Sequence, residues 1–173
     1  IDCGSTDYTR FTFSDRRYEN RFLNSSGHNV PAFNGVLQEA GEEYGARILS
    51  DTDEVMIDIS GAYPASAGIT SCVRRAALSP AGTALIEDSA TGFGEISVLI
   101  PLYCCEKPVP VAEGIRIGGM VLHPTGLEAG EIEEIPLSDR RMRISWGGTL
   151  WCIPLKGSFR DRGCWKLEFV PAE

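Results

Sequence analysis

Histidine occurs only twice among the 173 residues, and none of the six cysteines stands in a CxxC pair with another. A thiolate zinc ribbon is thereby excluded. The cysteines are scattered at positions 3, 72, 104, 105, 152 and 164, and a chain this long holds its core without disulfide staples. Cys72, Cys152 and Cys164 lie in apolar runs where a reduced thiol serves as a small hydrophobe, and cysteines without a pattern lean towards a reducing compartment. No stretch approaches the roughly 20 apolar residues of a membrane-spanning helix. Positive charge is in the minority, with 16 Lys and Arg against 24 Asp and Glu, a net charge of −8. That balance argues against duplex nucleic acid or an anionic membrane as the main partner. No internal repeat and no linker divide the chain, so a single domain over 1–173 is expected. The opening Ile1-Asp2-Cys3-Gly4 has neither an initiator Met nor a signal peptide and suggests an excised or processed piece.

What is present is strand pattern and turn residues. Gly and Pro number 19 and 10, which favours many turns over long helices. From residue 44 onward, short runs of period two recur between Gly, Pro, Asp and Ser. Ile96, Val98, Ile100 and Leu102 share one face, as do Val55, Ile57 and Ile59, and Trp165, Leu167 and Phe169. Met142, Ile144 and Trp146 show the same alternation and read as a further strand. Other candidates are 8–13, 44–50, 70–78, 83–90, 115–122, 131–137 and 150–155. The prediction is an all-β fold, a two-sheet antiparallel β-sandwich of roughly a dozen strands with little helix. Segment 20–41 breaks the pattern, dense in Asn, Ser, Gly and Pro, and reads as a long functional loop. A second loop, 61–68, has room for a short helical turn.

Within the first loop, His28 stands between Gly27 and Asn29 and could carry a proton or ligate a metal. Its neighbours Ser25, Ser26 and Asn29 are poor zinc ligands, so a partner must come from a distant segment such as Asp2. His123, ahead of Pro124, reads as a turn residue. Arg10, Arg16, Arg17 and Arg21 cluster among Tyr8, Phe11, Phe13, Tyr18 and Phe22. Guanidinium groups pair with carboxylate or sulfate and aromatic faces pack on sugar rings, so an acidic glycan is one reading; an outward-facing strand is the other. Arg140, Arg141 and Arg143 read as a turn and an outward strand face. No pair of carboxylates stands out as a glycosidase couple, and Ser25 and Ser26 lack the strand, elbow and helix of a hydrolase nucleophile.

The order Asp2-x-Gly4, Tyr8-Thr9, Arg17-Tyr18, then Ser25-Ser26-Gly27-His28-Asn29-Val30-Pro31, then Asn34-Gly35 with Gln38 and Gly41, resembles the heparinase II/III-like family of polysaccharide lyases. Asp58-Ile59-Ser60-Gly61-Ala62-Tyr63-Pro64, Arg74-Arg75 and Leu85-Ile86-Glu87-Asp88 continue the likeness. The resemblance implies the C-terminal β-sandwich of such an enzyme, with a helical toroid domain as its intramolecular partner and an acidic, uronic-acid-containing polysaccharide as substrate. The family's reaction is β-elimination, in which Tyr or His removes the C5 proton while Asn or His neutralises the carboxylate. Those toroid residues have no counterpart here, so an inactive fragment is implied. By position, the resemblance makes Asp2 and His28 two of three zinc ligands, the third lying upstream; Tyr8, Arg10, Arg17 and Asn29 are the expected substrate contacts. A stand-alone carbohydrate-binding module and a purely structural domain remain the alternatives.

Overall fold

A computed structural model describes residues 1–172. The described residues form eleven strands and one α-helix: β1 Ala32–Phe33, β2 Arg47–Asp51, β3 Val55–Asp58, β4 Ile69–Leu78, β5 Ala84–Cys104, β6 Val109–Val111, β7 Gly114–Ile117, β8 Met120–Thr125, β9 Glu128–Ala129, β10 Glu133–Pro136, α1 Arg140–Trp146 and β11 Thr149–Pro171. All pairings are antiparallel, so the all-β prediction holds. The two separate sheets expected from the sequence are replaced by one hydrogen-bonded sheet, in the order β2-β3-β4-β5-β11-β8-β7-β6 with β1 on β5 and β9 and β10 on β11.

Two long strands explain the difference. Segments 83–90 and 96–102, expected as separate strands, are one continuous β5, and 150–155 and 165–169 are one β11. The two pair along nearly their whole length, from Trp151 opposite Cys104 to Phe169 opposite Ala84. Midway the register shifts between Arg160 and Arg162, where Asp161 takes φ 62° and Gly94 opposite it φ 75°. Gly94 N–H donates to Asp161 Oδ1 at 3.2 Å. Gly92 has no room for a side chain there, since a Cβ would lie 2.3 Å from Ile96 Cδ1 and 2.5 Å from the Gly68 carbonyl oxygen. These are the features of a bulged, strongly bent ladder.

The bend gives the sheet two halves. One carries β2, β3, β4, β8, β7 and β6, while β1, β9 and β10 flank the other. Inward side chains of both halves meet in one core of Ile96, Val98, Ile100, Ile153, Leu155, Trp165 and Leu167. Phe33 of β1 bridges the halves, its ring centroid 6.1 Å from Trp165 and 5.2 Å from Tyr63. The opposite face of the second half is also covered, because Tyr103, Leu150 and Cys152 pack with Cys3, Ile135, Leu137 and Met142. Alternation along β11 buries Trp165 and exposes Cys164, which the sequence had suggested was buried. All six cysteines are free thiols.

Three further expectations are corrected. Residues 140–146 are helical: Asp139 accepts the Met142 N–H at 3.0 Å as N-cap, and buried Met142 and half-buried Trp146 stand four residues apart on one face. Residues 8–13 form turns, because Thr9, Thr12 and Ser14 hydroxyls bond the local backbone and divert it from a ladder. His123 lies within β8, opposite Glu168 of β11, and is not at a turn. Loop 61–68 contains two 3-10 turns, Ser60–Ala62 and Ala65–Ala67, in keeping with its reading.

Candidate functional site

The long loop is built from short turns that its own side chains cap. Asn20 accepts the Phe22 N–H and Asn24 accepts the Ser26 N–H, which starts the 3-10 turns Arg21–Leu23 and Ser25–Gly27. Gly27 lets the second turn lie against the first: a Cβ there would sit 2.3 Å from the Arg21 carbonyl oxygen. Beyond it the backbone extends through His28 into β1, which pairs with Val98 and Leu99 of β5.

Three side chains from the sheet and its loops hold three carbonyls of this segment. Tyr103 OH donates to Ser26 O at 2.7 Å, Arg74 Nη1 to Asn29 O at 2.8 Å, and Tyr63 OH to Pro31 O. Each donor is itself fixed. Arg74 makes two 2.7 Å bonds to the oxygens of Asp88, which is 1% exposed and also accepts Trp165 Nε1–H at 2.9 Å. Burial works against the Arg74 charge, but bonding to Asp88 outweighs it and raises its pKa. Burial pushes the Tyr103 hydroxyl up to about 12 and raises that of Tyr63 as well, so both remain neutral donors. The carbonyl clamp thus keeps its protonation state over the physiological range.

Clamped in this way, the loop brings His28 beside Asp2, with Nδ1 and Oδ2 2.8 Å apart. Partial burial raises the Asp2 pKa, yet the hydrogen bonds from His28 and the Gly4 N–H together hold it below the ordinary value. Asn29 has both ends of its amide in use, Nδ2 donating to Ile1 O at 2.6 Å and Oδ1 accepting the Tyr103 N–H at 2.9 Å. It ties the opening segment to β5. Among the described residues no third His, Cys, Asp or Glu joins Asp2 and His28 in a metal-ligating group. The pair is two adjacent donors of types that suit zinc, short of the set that a zinc site takes.

The other expected site residues lie on the turn-rich segment before the loop. Tyr8 is 70% exposed and packs on Phe13 at 5.4 Å between centroids. Arg10 and Arg16 both lie over the Phe11 ring, at 4.6 and 4.4 Å, and Arg17 lies over Tyr18 at 5.7 Å. Arg141 of α1 reaches Tyr8 at 5.8 Å. Residues separated by more than a hundred positions thus meet, and the i, i+4 spacing of Met142 and Trp146 was the signal that could have shown the helix carrying Arg141. Arg16 is paired with Glu19, whereas Arg10, Arg17 and Arg141 form no ion pair among the described residues. Beside His28 the surface opens into a cleft of about 500 Å³, lined by Tyr18, Asn24, Ser25, Gln38 and Glu39 among others.

Arg21 anchors the opposite end of the loop. Its Nη1 and Nη2 donate to the two Glu133 oxygens at 2.8 and 3.1 Å, and its Nε to Tyr103 OH at 3.1 Å. The Arg21 hydrogen bonds hold the Glu133 carboxyl below its usual 4.5 despite some desolvation. A carboxylate with a lowered folded pKa contributes stability above its unfolded value, and that contribution is lost as pH falls through the folded one. The Glu133 carboxyl carbon should therefore titrate by NMR with a midpoint under 4.5, and Arg21→Ala should move it up to the ordinary value. Identical midpoints in the two proteins would show that the pair does not form in solution.

No protein-family model matches the chain, and no curated protein does so by sequence. Among solved structures it is similar to heparinase III with methylated lysines, at a TM-score of 0.63 and 10% sequence identity, over 99% of this chain and 27% of that one. The fold is that of a part of heparinase III. The chain spans about a quarter of that enzyme's length, and at this identity the likeness speaks for the fold alone.

Proposed function

We propose that this chain is the C-terminal β-domain of a polysaccharide lyase-like protein acting on uronic-acid-containing glycans. The carrying observation is the fold match, which runs through the whole of this chain and accounts for 27% of heparinase III. The resemblance in motif order from Asp2-x-Gly4 to Gln38 points the same way. β-Elimination breaks the C5–H and C4–O bonds of the sugar, forms the C4–C5 double bond and returns a proton to the departing oxygen. It needs a base near C5 and neutralisation of the uronate carboxylate. The domain's part is to complete the cleft and hold the anionic chain, with Tyr8 as a stacking surface and Arg10 and Arg17 as free cations. Asn29 acts through the backbone that it ties down. Asp2 and His28 supply two zinc ligands, and a third from a preceding helical domain would complete a structural site joining the two parts.

The test is absorbance from unsaturated uronate, with this chain and a longer protein containing it compared on a panel of uronic-acid polysaccharides. Signal from the longer protein alone is expected. His28→Ala in that protein should lower its zinc content and its rate together. No product on any polysaccharide at any metal concentration would overturn the reading. Retention of an acidic glycan by this chain at low salt, with no cleavage by the longer protein, would replace it with a stand-alone binding module.

A further inference from the structure

We infer that the cleft beside His28 is a pyranose-binding subsite which grips ring hydroxyls through Glu39 and stacks the sugar on Tyr18, with Arg17 placed to meet a carboxylate at the rim. This inference rests on the proposed reading and names the part of the surface that recognises one sugar unit. The cleft has the volume of a small-ligand site. Its walls are already committed to the fold. Asn24 uses its side chain on Ser26 N–H and on the Tyr18 carbonyl, and Ser25 Oγ accepts the Gln38 N–H at 2.9 Å. The Glu39 backbone is fixed by its N–H to the Ala62 carbonyl at 3.0 Å.

What remains free is a short set of groups. The Glu39 carboxylate and the Tyr18 hydroxyl have no hydrogen-bond partner among the described residues. A carboxylate on a fixed backbone accepts two adjacent O–H donors at once, which is the arrangement of a vicinal diol. The same carboxylate repels an anion, so the acidic group of a uronate must turn away from Glu39. Arg17, which lies over the Tyr18 ring and forms no ion pair among the described residues, can offer the counter-charge. The half-exposed Tyr18 ring supplies a flat apolar face for the sugar's C–H surface.

The experiment uses the 173-residue chain, with backbone amide shifts followed as tetrasaccharides of heparan, alginate and polygalacturonate are added, and a neutral gluco-tetrasaccharide as control. At least one uronate oligosaccharide should shift Tyr18, Ser25, Gln38 and Glu39 in a saturable way. Glu39→Gln should weaken that binding about tenfold, in line with the loss of a charge-assisted hydrogen bond. Tyr18→Phe should weaken it less than Tyr18→Ala, because the ring survives in the first. Equal affinity for the neutral control, shifts confined to the Tyr8 and Arg10 face, unchanged affinity in Glu39→Gln, or no binding of any sugar would each overturn the subsite. If the longer protein cleaves a uronate polymer while Glu39→Gln binds and turns over normally, the subsite fails and the lyase reading stands.

Discussion

Asp88→Ala should lower the free energy of unfolding by about 3–5 kcal/mol, the cost of leaving a buried partner charge uncompensated. Asp88 is 1% exposed, takes both bonds from Arg74 and accepts the indole N–H of Trp165. Removing it strands the Arg74 guanidinium, whose side chain is only 16% exposed, and orphans Trp165 Nε1. The pair is not a source of stability in proportion, since two charges were desolvated to make it. Arg74→Met combined with Asp88→Leu should therefore cost less than Asp88→Ala alone. Urea unfolding of the three proteins with a common m-value decides the matter, and a single-variant loss below about 1 kcal/mol would refute the account. Because Arg74 Nη1 also holds the Asn29 carbonyl, Asp88→Ala should loosen the His28 loop even where the sheet stays folded.

Phe33→Ala should cost a similar amount, about 3–5 kcal/mol, as deletion of a fully buried aromatic does. The effect is larger than the two-residue length of β1 suggests. Phe33 is 0% exposed, meets the Tyr63 ring edge-on and lies against Trp165, so it joins the site loop to the core of both halves. Its removal withdraws the apolar anchor of a segment that otherwise holds to the sheet through a few polar bonds. Amide exchange at 28–36 should speed up by more than the global loss of stability accounts for, while Phe33→Leu, which refills most of the space, should keep the slow pattern. Uniform acceleration along the whole chain would show that β1 is not a separate unit.

Much of the sheet was legible because burial imposes period two wherever one face is covered. Ile96, Val98, Ile100 and Leu102 announced the middle of the molecule, and Trp165 and Leu167 its neighbour. The bend was not legible as such. Gly92-Phe93-Gly94 carries the composition of a turn, and only the partner strand, with Asp161 in a left-handed conformation opposite, makes it a bulge within one strand. The helix was missed because seven residues give too few periods, and Ile144, 75% exposed, imitated an inward strand position. At the site, the Asp2 and His28 pairing followed from motif order. The clamp on Ser26, Asn29 and Pro31 did not, since Tyr103, Arg74 and Tyr63 stand 32–77 residues away and a backbone carbonyl leaves no mark in a sequence.

The place of β11 in the sheet sets a timetable for the chain during synthesis. β5 ends at Cys104 and β11 starts at Thr149, which is 149 − 104 = 45 residues later. At cellular rates of translation that interval is roughly 2–9 s. Throughout it, the half of β5 bearing Ile96 to Leu102 has only the two residues of β1 alongside, and by its end β9 and β10 have been made without β11, the strand they pair with, while β8 has only β7. An open apolar edge of this kind is a template for foreign strands. This part of the nascent chain is therefore most exposed to aggregation just before β11 is made, and slowed translation between Cys104 and Thr149 should lower the soluble yield more than an equal delay before Cys104.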